Sequence, residues 1–253
     1  MEPVLEVQEL KKVFRARHGR GGVAAVNGVS FRLYGGEILG IVGESGCGKS
    51  TLVRTACRLL EPTAGSIRLD GRDITHAKGQ ALRSAYRAMQ MVFQFPAASF
   101  DPRRTIGDGV GESLRNQKMP APERAAQVER LLAQCGLKGE IARRYPHEVS
   151  GGQCQRAAIA RALAAQPRIL ICDEATSALD VMVQQQIMAL LAQLRESGGL
   201  SILFICHNLA LVQSFCDRVL VMEAGRVVEE GTPDEVIRGP RTACARRLVD
   251  AAL

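Results

Sequence analysis

The 253 residues include no tryptophan and three tyrosines, and aromatic side chains make up 4% of the chain. That scarcity argues against a stacking platform for single-stranded nucleic acid, which needs rings interleaved with basic groups. Long apolar runs are missing too. The best, "SILFIC" (Ser201 to Cys206), has the length of a strand, well short of the roughly 18 residues of a membrane span. The opening "MEPVLEVQEL" is acidic and alternating, unlike the basic, then apolar, start of a signal peptide. None of the eight cysteines forms a CxxC pair, and Cys57, Cys172, Cys206 and Cys216 lie in apolar runs. They are expected to be reduced thiols of the core rather than a disulfide or metal framework.

What is present is a globular balance of 46% hydrophobic and 23% charged residues, enough for a large core or two unequal lobes. The formal charge of +7 comes with arginines spread through "RARHGR", "RRYPHE" and "RGPRTACARR". Charge alone leaves nucleic acid, an anionic membrane surface and a plain solvated exterior open.

Two kinds of strand pattern occur. "LEVQEL", "AAVNGVSFRLYGGE" and "GSIRLDGRDI" alternate apolar with polar residues around turn signals, which predicts a small antiparallel sheet with a turn at Asp70-Gly71. "EILGIVG", "RILICDE" and "SILFICH" are instead short continuous apolar runs, as expected of strands buried on both faces of a parallel sheet. Helix patterns lie between them. In "QQQIMALLAQLRESGG" Ile187, Leu190, Leu191 and Leu194 share a face, and Gly198-Gly199 stop the helix. From about Pro96 to Ala165 there is no strand signal, and "PERAAQVERLLAQCG" reads as a helix that Gly136 ends. "DRVLVMEAGRVVEEG" is a hairpin turning at Ala224-Gly225. The pattern predicts an α/β core with an inserted helical subdomain.

Three motifs carry chemistry. Gly43, Glu44, Ser45, Gly46, Cys47, Gly48, Lys49 and Ser50 match G-x-x-x-x-G-K-[ST] between the strand "ILGIVG" and the helix pattern "STLVRTACRLL", which Thr51 continues. Glycines let backbone N–H groups turn inward, and the helix N-terminus adds partial positive charge, so phosphates bind there. Lys49 would reach the β- and γ-phosphates and Ser50 would take a Mg²⁺ position. The second motif is "RILICDE", which delivers Asp173 and Glu174 at the C-terminal edge of a buried strand. Alone they would read as a helix cap; beside a phosphate loop, Asp173 as a metal holder and Glu174 as a base for water is the better account. The third, "VSGGQCQRAAIARAL", opens a helix in which Ala158, Ile159, Ala162 and Leu163 make one face. An N-cap explains Ser150, whereas two glycines in the first turn cost helix propensity and point to close approach of a second anion.

Gly43 to Ser50, "VSGGQ", "ILICDE", "SALD" and His207, in this order, resemble the full motif set of ABC-type ATPases over essentially the whole chain. The resemblance implies a P-loop NTPase (RecA-like) fold, residues 1–94 and 158–253 forming the α/β core with its antiparallel β subdomain and residues 95–157 the helical subdomain. It implies ATP and Mg²⁺ as ligands. Gln94 resembles the glutamine that contacts metal and attacking water, Asp180 the residue that signals across a dimer, and His207 the histidine that touches the γ-phosphate. Phe14 resembles the aromatic residue that stacks on adenine, with Val26 lining the base. Such domains pair head to tail, so that Ser150, Gly151, Gly152 and Gln153 of one copy close over the γ-phosphate held by the other.

"FQFPAASFDPRRTIGDGVGE", "RRYPHEVSGGQCQR" and "DEATSALDVMVQQQI" resemble the peptide and nickel importers of this family. The departures are His207-Asn208 where His-Asp is usual, Cys206 where Thr or Ser is common, and a tail, "RGPRTACARRLVDAAL", without a His-Pro-Tyr-Thr run. The importer reading implies a second ATPase subunit (the same chain or a paralogue), transmembrane permease subunits, a solute-binding protein reached indirectly, a place at the cytoplasmic face of the inner membrane, and no nucleic acid. Two other readings are an ATPase of a cytosolic complex of the phosphonate-degrading type and a nucleic-acid-associated ABC protein.

Overall fold

The structure, a computed structural model, describes residues 2–15, 22–175 and 179–251. It divides into two compact units, residues 1–86 with 198–253, and residues 87–197. The fold is α/β, with an antiparallel sheet distinct from the parallel strands.

In the first unit, β1 (Pro3–Arg15), β2 (Gly22–Tyr34), β4 (Ala64–Leu69) and β5 (Arg72–Asp73) form an antiparallel sheet in the order β2-β1-β4-β5. The alternation in the sequence is its cause: Leu5, Val7 and Leu10 turn inward with Ile67 and Leu69, while polar neighbours face out. The Asp70-Gly71 turn forms as expected, both residues at positive φ.

The same unit holds β3 (Ile38–Gly43), parallel to both β8 (Ser201–Ile205) and β9 (Arg218–Glu223), with β10 (Arg226–Gly231) returning antiparallel to β9. All residues of β3 and β8 are buried, which is why their sequences are uninterrupted apolar runs. Helix α1 (Lys49–Ala56) follows β3. The sequence pattern carried this helix through Leu60, but it ends earlier. Arg58 turns left-handed (φ 63°), its buried guanidinium donates to the Ile74 carbonyl (3.1 Å), and its own carbonyl accepts the Tyr86 hydroxyl (2.9 Å). Tertiary partners replace the last helical turn. Short helices α2 (Gly79–Ala88), α8 (Leu209–Phe215), α9 (Pro233–Arg238) and α10 (Ala243–Asp250) complete the set.

In the second unit, β6 (Met89–Val92) pairs in parallel with β7 (Ile169–Asp173). Between Pro96 and Ala165 the described elements are helical: α3 (Ile106–Val110), α4 (Glu112–Asn116), α5 (Ala121–Gln134), α6 (Gly151–Leu163) and short 3₁₀ turns. Gly136 ends α5 at φ 68°. Burial on α6 is broader than the expected stripe, taking in Cys154, Gln155, Ala157 and Ala160, while Leu163 is only half-buried. Small residues all round let neighbours approach from several sides. Helix α7 (Val181–Gly198) buries Ile187, Leu190, Leu191 and Leu194 as its period requires, and Gly199 (φ 62°) terminates it.

All eight cysteines are buried, and none is in a disulfide. Burial pushes the thiols of Cys135 and Cys172 up to about 12 and that of Cys154 to about 11. No helix among the described residues is long and apolar enough to cross a membrane.

Candidate functional site

The phosphate-loop residues leave β3 at its C-terminal edge, where open α/β sheets place ligands. Gly43 and Gly48 cannot be replaced there. A Cβ on Gly43 (φ 153°) would stand 2.3 Å from the Met222 carbonyl oxygen, and one on Gly48 (φ 110°) 2.1 Å from that of Ala25. Gly46 (φ 80°) faces open space instead, so a ligand can come up to its backbone. Gly48 is also the left-handed N-cap of α1, with no side-chain cap and no acidic residue in the first turn. The positive end of the helix is left undiluted.

Lys49 is buried in this loop, donating to the carbonyls of Gly43 (2.8 Å) and Glu44 (3.0 Å). A flexible side chain is thereby held at the loop rather than swinging in solvent. The loop is clamped from outside by the hairpin tip of β9 and β10. Ala224 and Gly225 take φ of 47° and 77°, the Gly225 N–H donates to the Cys47 carbonyl (2.8 Å), and the Asn27 N–H donates to the Gly225 carbonyl (2.8 Å). The hairpin was legible in the sequence; its hold on the phosphate loop was not, because nothing local marks it.

His207 leaves the same edge. Ile41 lies opposite Ile205 in the β3–β8 register, so Gly43 and His207 each follow that pair by two residues, and His207 is exposed. Both departures around it have a structural role. Asn208 caps α8, its side-chain oxygen accepting the N–H groups of Ala210 (3.0 Å) and Leu211 (3.3 Å), a task that Asn and Asp perform equally. The Cys206 sulfur accepts the Asn208 N–H (3.2 Å), as a hydroxyl would. Phe14 exposes 43% of its surface, with the Lys12 ammonium 5.2 Å from the ring centre. Val26 has no exposed surface. It is packed in the sheet opposite Lys12.

The second unit repeats the register logic. Val92 lies opposite Cys172, so Gln94 and Glu174 each follow by two residues, and the Gln94 amide donates to a Glu174 carboxylate oxygen at 2.9 Å. Glu174 has a left-handed backbone (φ 51°), costly for a residue with a Cβ and typical of a side chain held in a required direction. Asp173 is buried at the end of β7.

Ser150 caps α6 in a reciprocal box: its hydroxyl accepts the Gln153 N–H (3.3 Å) and the Gln153 side chain accepts the Ser150 N–H (2.9 Å). The two glycines then separate. A Cβ on Gly152 would lie 2.5 Å from Cγ1 of Val183 in α7, whereas one on Gly151 would meet, among the described residues, only Leu179 at 3.9 Å. Helix packing thus gives Gly152 a second reason to lack a side chain, whereas Gly151 has room for one. Asp180 caps α7 by accepting the Val183 N–H (2.9 Å). Thr176 to Ala178, with the first half of "SALD", and the basic stretch from Ala16 to Gly21 lie outside the described residues.

Comparison with known proteins bears on this geometry directly. The family described as ABC transporter matches residues 26–177. The oligopeptide transport ATP-binding protein OppF of Escherichia coli K12 is 45% identical over 98% of this chain and 77% of its own length. The di/tripeptide transport ATP-binding protein DppF of Pseudomonas aeruginosa is 43% identical over 99% and 79%. Among solved structures, CbiO1 from Clostridium perfringens, part of an ABC transporter complex, superposes with a TM-score of 0.82 at 29% identity, all of both chains being covered. A dimeric ATP-binding cassette, MJ0796, gives 0.81 at 29% identity over 90% of this chain and 98% of its own. With its phosphate loop, its capped SGGQ helix and its acidic strand end, the chain belongs to the ABC transporter family and is an ABC-type ATPase.

Proposed function

We infer that this chain is the ATP-hydrolysing subunit of an importer for short peptides. The observation that carries the reading is identity of 43–45% running through 98–99% of the chain to proteins named for oligopeptide, di/tripeptide and glutathione import. The missing His-Pro-Tyr-Thr run bears little weight against it, since the alignments cover 98–99% of the chain.

The site residues divide the chemistry among them. The open backbone at Gly46, the helix N-terminus at Lys49 and the lysine ammonium suit a polyphosphate. Ser50, Gln94 and Asp173 offer hydroxyl, amide and carboxylate oxygens, the donor set that Mg²⁺ prefers, and are assigned as its holders. When bound, the ion neutralises charge on the β- and γ-phosphates. Glu174 is assigned as the base for the attacking water, with Gln94 orienting its carboxylate, and His207 as a contact to the γ-phosphate. Phe14 stacks on adenine. The residue range 95–157 serves as the helical subdomain within one ABC domain. Ser150, Gly151, Gly152 and Gln153 act on nucleotide held by a second ATPase, which is either a copy of this chain or a paralogue.

On this reading the chain lies against transmembrane permeases at the cytoplasmic face of the membrane, and a solute-binding protein reaches it only through them. The test is capture of tagged Glu174→Gln protein from detergent-solubilised membranes in ATP and Mg²⁺, with mass spectrometry of every co-purifying chain. Two multi-span permeases, with or without a second ATPase, are expected. Recovery of soluble enzymes or nucleic acid alone would overturn the importer.

A further inference from the structure

The parallel register of β3 and β9 releases two carboxylates beside the phosphate loop. Val42 pairs with Val221 and Gly43 with Met222, and the residues that follow each strand's last pair, Glu44 and Glu223, both contact one arginine. Two like charges there oppose each other, and they also oppose a polyanion bound by the loop. One residue answers both. Arg247, from the middle of α10, reaches Glu44 Oε1 with Nε at 3.2 Å and Glu223 Oε1 with Nη2 at 2.5 Å. The hydrogen bonds it donates to Glu223 and Glu44 hold its guanidinium above its ordinary pKa.

The helix that carries Arg247 is itself anchored. Glu229 in β10, buried, accepts the N–H groups of Arg241 (3.0 Å) and Thr242 (2.9 Å) and the Thr242 hydroxyl (2.8 Å) at the start of α10. Farther along, Cys244 and Ala245 are buried in the same helix. The helix is thus fixed at its first turn and along one face, which aims Arg247 at the loop edge.

We propose that Arg247 is a positioning residue for nucleotide affinity: it neutralises Glu44 and Glu223 together and keeps Glu44, a member of the phosphate loop, turned away from the bound phosphates. The inference rests on the phosphate loop being the nucleotide site. It predicts a charge-dependent effect, because removing one positive charge matters more for ATP than for ADP.

The test is equilibrium binding of ATP and of ADP, each with Mg²⁺, to the full chain by titration calorimetry. Arg247→Ala is expected to weaken ATP binding about threefold at low salt and ADP binding less, with the difference shrinking in high salt. Arg247→Lys is expected to restore much of the loss. In a Glu44→Gln, Glu223→Gln background the same substitution is expected to weaken ATP binding less than it does in the unaltered chain, because no carboxylate is left to unmask. Equal ATP affinity with and without Arg247, or a loss that is the same for both nucleotides and undiminished in the Gln background, would overturn the proposal and leave Arg247 a surface residue. Failure of the unaltered chain to bind ATP would instead bring down the nucleotide reading, and the inference with it.

Discussion

The Gln94 side chain donates to Glu174 at 2.9 Å because two parallel strands, in register at Val92 and Cys172, each release their motif residue two positions later. A glutamine amide is neutral, so it can orient this carboxylate without sharing its proton. That arrangement suits a group that must accept a proton from water while its direction stays fixed.

Glu174→Gln removes the basic oxygen but leaves a carbonyl for the Gln94 amide to bond. Hydrolysis is expected to fall at least about 100-fold, the scale of a lost general base, while ATP binding persists. Size-exclusion chromatography in ATP and Mg²⁺ should then show an accumulated dimer. Turnover within twofold of the unaltered protein would refute the role of Glu174.

Lys49→Ala acts at the other end of the chemistry. Its ammonium, bonded to the Gly43 and Glu44 carbonyls, is already in place for phosphate, so its loss should weaken ATP binding by about tenfold or more. Fluorescence titration with a labelled ATP would show this. Affinity within twofold of the unaltered protein would mean that the backbone N–H groups suffice alone.

How much of this was legible in the sequence depends on whether the cause is local. The phosphate loop, the turns at Asp70-Gly71 and Ala224-Gly225, and the stop of α7 at Gly199 are all written in residues next to one another, and each formed as expected. The early end of α1 was not legible, because Ile74 and Tyr86, which take over the bonding at Arg58, are distant in sequence. The burial of Val26 belongs with it: an alternating strand shows which residues share a face, but not how closely that face is covered. Gly152 is the sharpest case. The sequence shows two glycines in one helical turn, and only the approach of Val183 to Gly152 shows that their packing differs.

That difference can be measured. Gly152→Ala forces a methyl group into Val183, an overpacking that typically costs about 1–3 kcal/mol, and the melting temperature should fall by several degrees. Gly151→Ala meets nothing closer than 3.9 Å among the described residues and, as a better helix former than glycine, should leave the melting temperature level or slightly raised. Equal shifts for the two variants would contradict the packing account.

The cysteines should be silent in the folded protein. All eight are buried, and the thiols of Cys135, Cys154 and Cys172, with values of about 11 to 12, stay protonated near neutral pH. Because thiolate is the reactive form, Ellman's reagent should label fewer than about one thiol quickly in buffer and all eight once the chain is unfolded in guanidinium. Rapid labelling of several thiols in the native state would refute the burial.

Acid should weaken the anchor of the tail helix. Burial of Glu229 would by itself raise its pKa, but the N–H of Arg241 and the hydroxyl and N–H of Thr242 outweigh it and leave the carboxyl below its ordinary value. A group depressed in the folded state contributes stability that is fully present above its unfolded pKa, near 4.3, and is lost as pH falls through the lower folded value. Urea unfolding should therefore be insensitive to this group from pH 7 to about 5 and weaken below about 4. Glu229→Gln replaces an acceptor of three hydrogen bonds with a side chain that can satisfy fewer, and should cost about 2 kcal/mol at pH 7. Since that variant has no carboxylate left to protonate, its stability should also fall less steeply in acid. An unchanged acid slope would mean that Glu229 is not what ties α10, and with it Arg247, to the edge of the phosphate loop.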